Sequence, residues 1–106
     1  MKNYSLAQID DLSTIISLGN GTYTLRLYAF RELIYADVLE NDKYVVSGKR
    51  VMLGEWIIPP YLVQGRGNIR FEAYAADSDD YVWYTGYNTK FRLVGYTAKE
   101  ILGGIA

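Results

Sequence analysis

The chain has 106 residues, half of them hydrophobic and 22% charged, with a net charge of -1. That is the length of a single domain, residues 1–106, built on one core, and the near-neutral balance argues against a nucleic-acid binder, which would show a basic excess. Cysteine and histidine are both missing, which excludes disulfides, thiolate nucleophiles, Cys-ligated zinc and any Ser-His-Asp or Cys-His arrangement within the chain.

Eleven tyrosines, two tryptophans and three phenylalanines give the sequence its bias. Aromatic residues favour strands. Tyrosine is also enriched at protein interfaces, because it joins a large rigid ring to a polar tip. Residues 1–5 hold no apolar run of signal-peptide length, and no stretch approaches the roughly 20 apolar residues that span a bilayer. The expectation is a chain made and kept soluble, with no membrane partner.

Residues 4–18 read as a first strand or strand pair, ending on the apolar run Ile15-Ile16-Ser17-Leu18. Gly19-Asn20-Gly21 signals a turn, since Asn and Gly tolerate positive φ. Residues 22–30 alternate most clearly. Tyr23, Leu25, Leu27 and Ala29 fall on one face, and Thr24, Arg26, Tyr28 and Phe30 on the other, the period of a half-buried strand. Residues 33–39 repeat the pattern after a short Arg31-Glu32 break, which suggests a hairpin, and Asn41-Asp42 marks a second turn.

A short strand is expected over 43–47, a break at Gly48 and another strand over 50–53. Residues 54–61, with two prolines that remove backbone donors, read as an irregular crossing. Residues 65–68 form a turn, and 69–76 alternate again with Ile69, Phe71, Ala73 and Ala75 inward. A polar turn at 77–80 leads to last strands over 81–85 and 89–94. Residues 97–102 have room for one helical turn. Seven to eight short antiparallel strands with turn signals between them predict an all-β fold, a small sandwich or barrel.

Candidate chemistry is sparse. Asp77, Asp79 and Asp80 lack the glycine and terminal glutamate of a calcium loop and read as a polar hairpin tip. Gly65-Arg66-Gly67 lacks the lysine and the hydroxyl residue of a phosphate loop and reads as a turn. Nothing in the spacing of the twelve acids selects a carboxylate pair for glycoside hydrolysis. No cofactor, no metal and no catalysis are expected.

Two constellations stand out instead. Tyr81, Trp83, Thr85 and Tyr87 line one side of the expected strand, with Tyr84 on the other. They serve the core, a protein interface, or a platform on which sugar rings stack. Arg26, Arg70 and Arg92 lie on outward strand faces with Tyr28 and Tyr74, and Glu72 is placed to pair with one of them across strands. That mixture suits a protein interface or an ordinary solvated sheet. The candidate interface residues are therefore Arg26, Tyr28, Arg70, Tyr74, Trp83, Tyr84 and Arg92.

The middle of the chain also carries an ordered set of strand and turn residues. Tyr23-Thr24-Leu25-Arg26-Leu27-Tyr28 is followed by Tyr35-Ala36-Asp37-Val38. Then come Val45-Val46-Ser47-Gly48, Val51-Met52 ahead of Gly54, Ile57-Ile58, Tyr61 and the turn from Gly65 to Gly67. This order, over roughly residues 15–95, resembles the baseplate plug family of contractile-tailed bacteriophages. The resemblance implies a structural protein of the virion, made in the host cytoplasm and sited in the tail baseplate near the hub, tube and spike. It would act by contacts with those proteins, with oligomers possible within the assembly. The other reading is a carbohydrate- or receptor-binding β-sandwich that uses the aromatic residues around Trp83.

Overall fold

A computed structural model describes residues 2–18, 21–59, 67–74 and 82–103. Seven strands stand among these residues: β1 (Lys2–Tyr4), β2 (Asp11–Leu18), β3 (Gly21–Phe30), β4 (Leu33–Glu40), β5 (Lys43–Arg50), β6 (Asn68–Ala73) and β7 (Phe91–Tyr96). They form two antiparallel sheets, one of four strands in the order β2-β3-β4-β5 and one of three in the order β1-β7-β6. Neither sheet closes on itself, so the barrel is corrected. Two sheets that share one buried cluster are what a sandwich-like arrangement requires.

The four-stranded sheet is a meander of sequential hairpins, and its register follows from alternation. Ile16, Leu25, Leu27, Ile34, Ala36 and Val38 all point inward and are buried. A slip of one residue would turn every one of them to water. The opposite sheet contributes Ile69, Phe71, Phe91 and Leu93, and the segments between strands add Ile57, Ile58, Val82 and Tyr87 to the same cluster. Phe71 and Tyr87 stack at its centre, with ring centroids 5.5 Å apart. Each such side chain contributes about 1.5–3 kcal/mol when fully buried.

The β3–β4 and β4–β5 turns each place two residues at positive φ, Arg31 and Glu32 at 50° and 66°, and Asn41 and Asp42 at 51° and 63°. Two-residue hairpins need that geometry to match the twist of the flanking strands.

Three expectations are corrected in detail. First, residues 4–18 hold parts of two strands that do not pair with each other: β1 pairs with β7 and β2 with β3. Second, Gly48 does not break the fifth strand. It sits at φ 65° in β5, whose register with β4 shifts, because the buried Asp37 carboxylate accepts the Gly48 N–H at 2.7 Å and supplies the partner that the ladder lacks there. No separate strand follows over 50–53. Val51 N–H donates to Ile34 O at 2.8 Å, and the chain then turns through Gly54 at φ 78°.

Third, residues 82–85 are not a strand. Tyr84–Gly86 is a 3-10 turn, closed by Gly86 N–H to Trp83 O at 3.0 Å and Tyr87 N–H to Tyr84 O at 3.2 Å. Those donors are satisfied locally, so no ladder is needed to satisfy them. The expected turns at 65–68 and 77–80 lie largely or wholly outside the described residues, as do Tyr61, Ala75, Ala76 and Tyr81.

The irregular crossing does appear between β5 and β6, and it has a use. Gly54 N–H donates to Phe71 O at 2.8 Å and Ile57 N–H to Ile69 O at 2.9 Å. The Asn68 side chain accepts from Ile58 N–H at 2.9 Å and donates to Ile58 O at 2.6 Å. The free edge of β6 is thereby covered, as exposed edges generally must be. The helical turn expected near the end is α1 (Ala98–Leu102), opened by a capping box in which Thr97 and Glu100 satisfy each other's backbone donors.

Candidate protein-interaction surface

The outward faces of the two sheets carry separate polar and aromatic clusters. On the three-stranded sheet, Glu72 of β6 stands opposite Arg92 of β7. Its carboxylate accepts from Arg70 Nε at 3.0 Å, Arg92 Nη2 at 3.3 Å and Tyr96 Oη at 2.5 Å. Burial pushes this carboxyl up, yet the hydrogen bonds from Tyr96 and Arg70 and the two guanidinium charges outweigh it and hold the group below the usual range. Burial, and then the Glu72 contact, push the Tyr96 hydroxyl up.

The Arg70 guanidinium lies over the Trp56 ring at 4.5 Å and the Tyr96 ring at 5.3 Å. Arg92 lies over Tyr74 at 5.6 Å. Arg92 Nε is buried without a hydrogen-bond partner among the described residues. Packing on two sides fixes these charged groups, so the face presents arginine and tyrosine at little cost in side-chain entropy.

On the four-stranded sheet, Arg26 of β3 grips Asp11 of β2 with two bonds, Nε to Oδ1 at 3.1 Å and Nη2 to Oδ2 at 2.9 Å. Its Nη1 lies 3.9 Å from the buried Asp37. The hydrogen bond to Asp11 pushes the Arg26 guanidinium up and holds the Asp11 carboxyl down. The guanidinium sits 4.7 Å over the Tyr28 ring. Tyr28 stacks on Tyr35 of β4, centroids 5.9 Å apart and planes 23° from parallel. Burial raises the Tyr28 hydroxyl, with Asp37 adding to the effect. Phe30 then meets Tyr35 edge-on at 6.3 Å.

Trp83 and Tyr84 form a third group. Their rings are 4.9 Å apart and tilted by 45°, and both are partly buried against the core cluster. The row read along an expected strand does not exist as a row, and Tyr87 is wholly buried. A flat open aromatic platform is absent at this position among the described residues.

The seven sequence-derived candidates thus separate into Arg70, Tyr74 and Arg92 on one sheet, Arg26 and Tyr28 on the other, and Trp83 with Tyr84 at a turn. Sequence reasoning missed Trp56 and Tyr96, which hold Arg70 in place, and Tyr35, Phe30 and Arg31, which extend the Tyr28 stack. The last three were open to inference once the Arg31-Glu32 break was taken as a two-residue loop, because that loop forces Tyr28 opposite Tyr35 and Phe30 opposite Leu33.

Among the described residues no three acids, histidines or cysteines gather as a metal site, and no helix is long and apolar enough to cross a membrane. No curated protein matches the chain. A family model described as cyanophage baseplate Pam3 plug gp18 matches residues 1–98. By that match, over nearly its whole length, the chain belongs to the phage baseplate plug family.

Proposed function

We propose that this protein is the plug of a contractile phage tail baseplate, held in the central hub region beside the tube and spike. It joins neighbouring subunits and helps close the lumen before ejection, by protein contacts alone and without catalysis. The observation that carries this reading is the family match over residues 1–98. The two outward sheet faces support it, because arginine and tyrosine fixed by mutual packing are the residue types that anchor protein interfaces.

Quantitative mass spectrometry of purified particles tests it. A low copy number in fixed ratio to the spike subunit is expected. Absence of the protein from particles that contain spike and tube would remove the virion role.

A further inference from the structure

The turn end of the β3–β4 hairpin carries features that the sheet itself does not require. Phe30 closes β3 with its side chain 55% exposed, and the Arg31 guanidinium lies 5.3 Å over its ring. Behind the ring, the Tyr35–Tyr28 stack gives it a rigid backing. Beside it opens a hollow of about 380 Å³ lined by Arg31, Glu32, Leu33 and Arg50. Arg50 reaches this place because it stands opposite Tyr35 in the β4–β5 register.

No ion pair of Arg31 or Arg50 is present among the described residues. The hollow therefore holds two cations against the one carboxylate of Glu32, in a chain whose net charge is -1. The two-residue turn itself needs positive φ, and Arg31 and Glu32 stand there in place of the Asn and Gly that suit it, so these two side chains are carried at a backbone cost.

We propose that this hairpin end is the anchor that seats the protein on a neighbouring baseplate protein. Phe30 enters an apolar socket, and the hollow between Arg31 and Arg50 receives a carboxylate side chain from the rim of that socket. The proposal rests on the baseplate reading above. A guanidinium matches the fork of a carboxylate, and aromatic residues and arginine are enriched at protein interfaces. A second copy is the wrong occupant. Two-fold pairing would set the same patch against itself, and like charges facing each other oppose association.

The test uses whole particles. Three forms of the protein are supplied to a phage lacking it: Phe30→Ser, Arg50→Glu, and the double change Arg31→Asn with Glu32→Gly. The double change removes Arg31 and Glu32 together, so the hollow keeps its net charge and loses the guanidinium pair, while Asn and Gly suit the turn; it separates loss of docking from loss of folding. Copies per particle should fall at least about tenfold for all three, the scale of an anchor residue, with thermal unfolding of the double variant no lower than that of the native chain. A photo-crosslinking residue at position 30 should couple to a baseplate protein within a few residues of an Asp or Glu.

Loading within about twofold of the native level, or coupling to a second copy or to a glycan, overturns the anchor and leaves the baseplate reading intact. Absence of the native protein from particles overturns both.

Discussion

Tyr96 Oη donates to Glu72 Oε2 at 2.5 Å, and the same carboxylate takes Arg70 and Arg92. Three donors from two strands converge on one side chain that is only 18% exposed. Removing it leaves two guanidiniums side by side and a buried hydroxyl without its acceptor. Glu72→Ala should cost about 1–3 kcal/mol in urea unfolding.

The pH dependence has a definite sign. The folded carboxyl titrates below its ordinary value of 4.5. Its contribution is therefore complete above that value and disappears as pH falls through the lower folded one. The native chain should lose stability from about pH 4.5 downward, and Glu72→Gln should lose less over the same interval. Equal acid slopes for the two proteins would show that this carboxylate is not what its three donors hold.

The Arg31-Glu32 turn gives a prediction of opposite direction. Residues that carry a Cβ disfavour the left-handed region by roughly 1–2 kcal/mol, and two stand there in succession at φ 50° and 66°. Replacing the pair with Asn-Gly should raise stability by about 1 kcal/mol, after allowance for the added freedom of glycine in the unfolded chain. A lower thermal midpoint would mean that Arg31 contributes more through its contact with Phe30 than the backbone strain costs.

Two glycines with similar backbones should respond very differently to one methyl group. Gly54 has φ 78° and open space where a Cβ would go; Gly67 has φ 91°, and a Cβ there would lie 2.3 Å from Tyr96 O. Gly54→Ala meets conformational strain alone, about 1–2 kcal/mol. Gly67→Ala must also push apart the start of β6 and the end of β7, since backbone cannot rotate away as a side chain can. It should cost at least about 2 kcal/mol more, or prevent folding. Equal costs in denaturant melts would contradict this close approach.

Much of the fold was legible because alternation is a local signal. In β3 the inward set Tyr23, Leu25 and Leu27 is buried, with Ala29 half-buried, as the period of two requires. The resemblance of the middle of the chain to baseplate plugs also matches the family found over residues 1–98. The failures share a cause: they are places where something distant decides. Residues 82–85 are as aromatic as any strand here, yet the N–H groups of Gly86 and Tyr87 donate to the carbonyls of Trp83 and Tyr84. The Asn88 side chain meanwhile holds the backbone of Leu6, 82 residues away, accepting at 3.1 Å and donating at 2.5 Å.

The break placed at Gly48 was misread for a similar reason, since its partner is the carboxylate of Asp37 on the neighbouring strand. For the surface, parity along a strand puts Arg26, Arg70 and Arg92 on the faces opposite the buried Leu25, Phe71 and Leu93, although Arg70 is only 14% exposed there. It had no means of telling that they belong to two sheets, because sheet membership depends on pairings such as β1 with β7 that span almost the whole chain.

Tyr87 supplies the last test, at the alkaline end. Its ring stacks on Phe71 in the core, and burial pushes its hydroxyl far above the ordinary value of 10.0. A group raised in the folded state contributes fully below its unfolded value and loses that contribution as pH rises. Stability should therefore fall from about pH 10 upward, because the unfolded chain releases a proton that the folded core retains. Tyr87→Phe keeps the stacked ring and removes the proton, so it should change stability at neutral pH by no more than about 1 kcal/mol while flattening the alkaline decline. Some slope should remain, since burial also raises Tyr4, Tyr28 and Tyr96. Tyr87→Ala, by contrast, opens a cavity beside Phe71 and should cost about 3–5 kcal/mol at any pH. If Tyr87→Phe and the native chain decline in parallel above pH 10, the buried hydroxyl is not the group that makes the core sensitive to base.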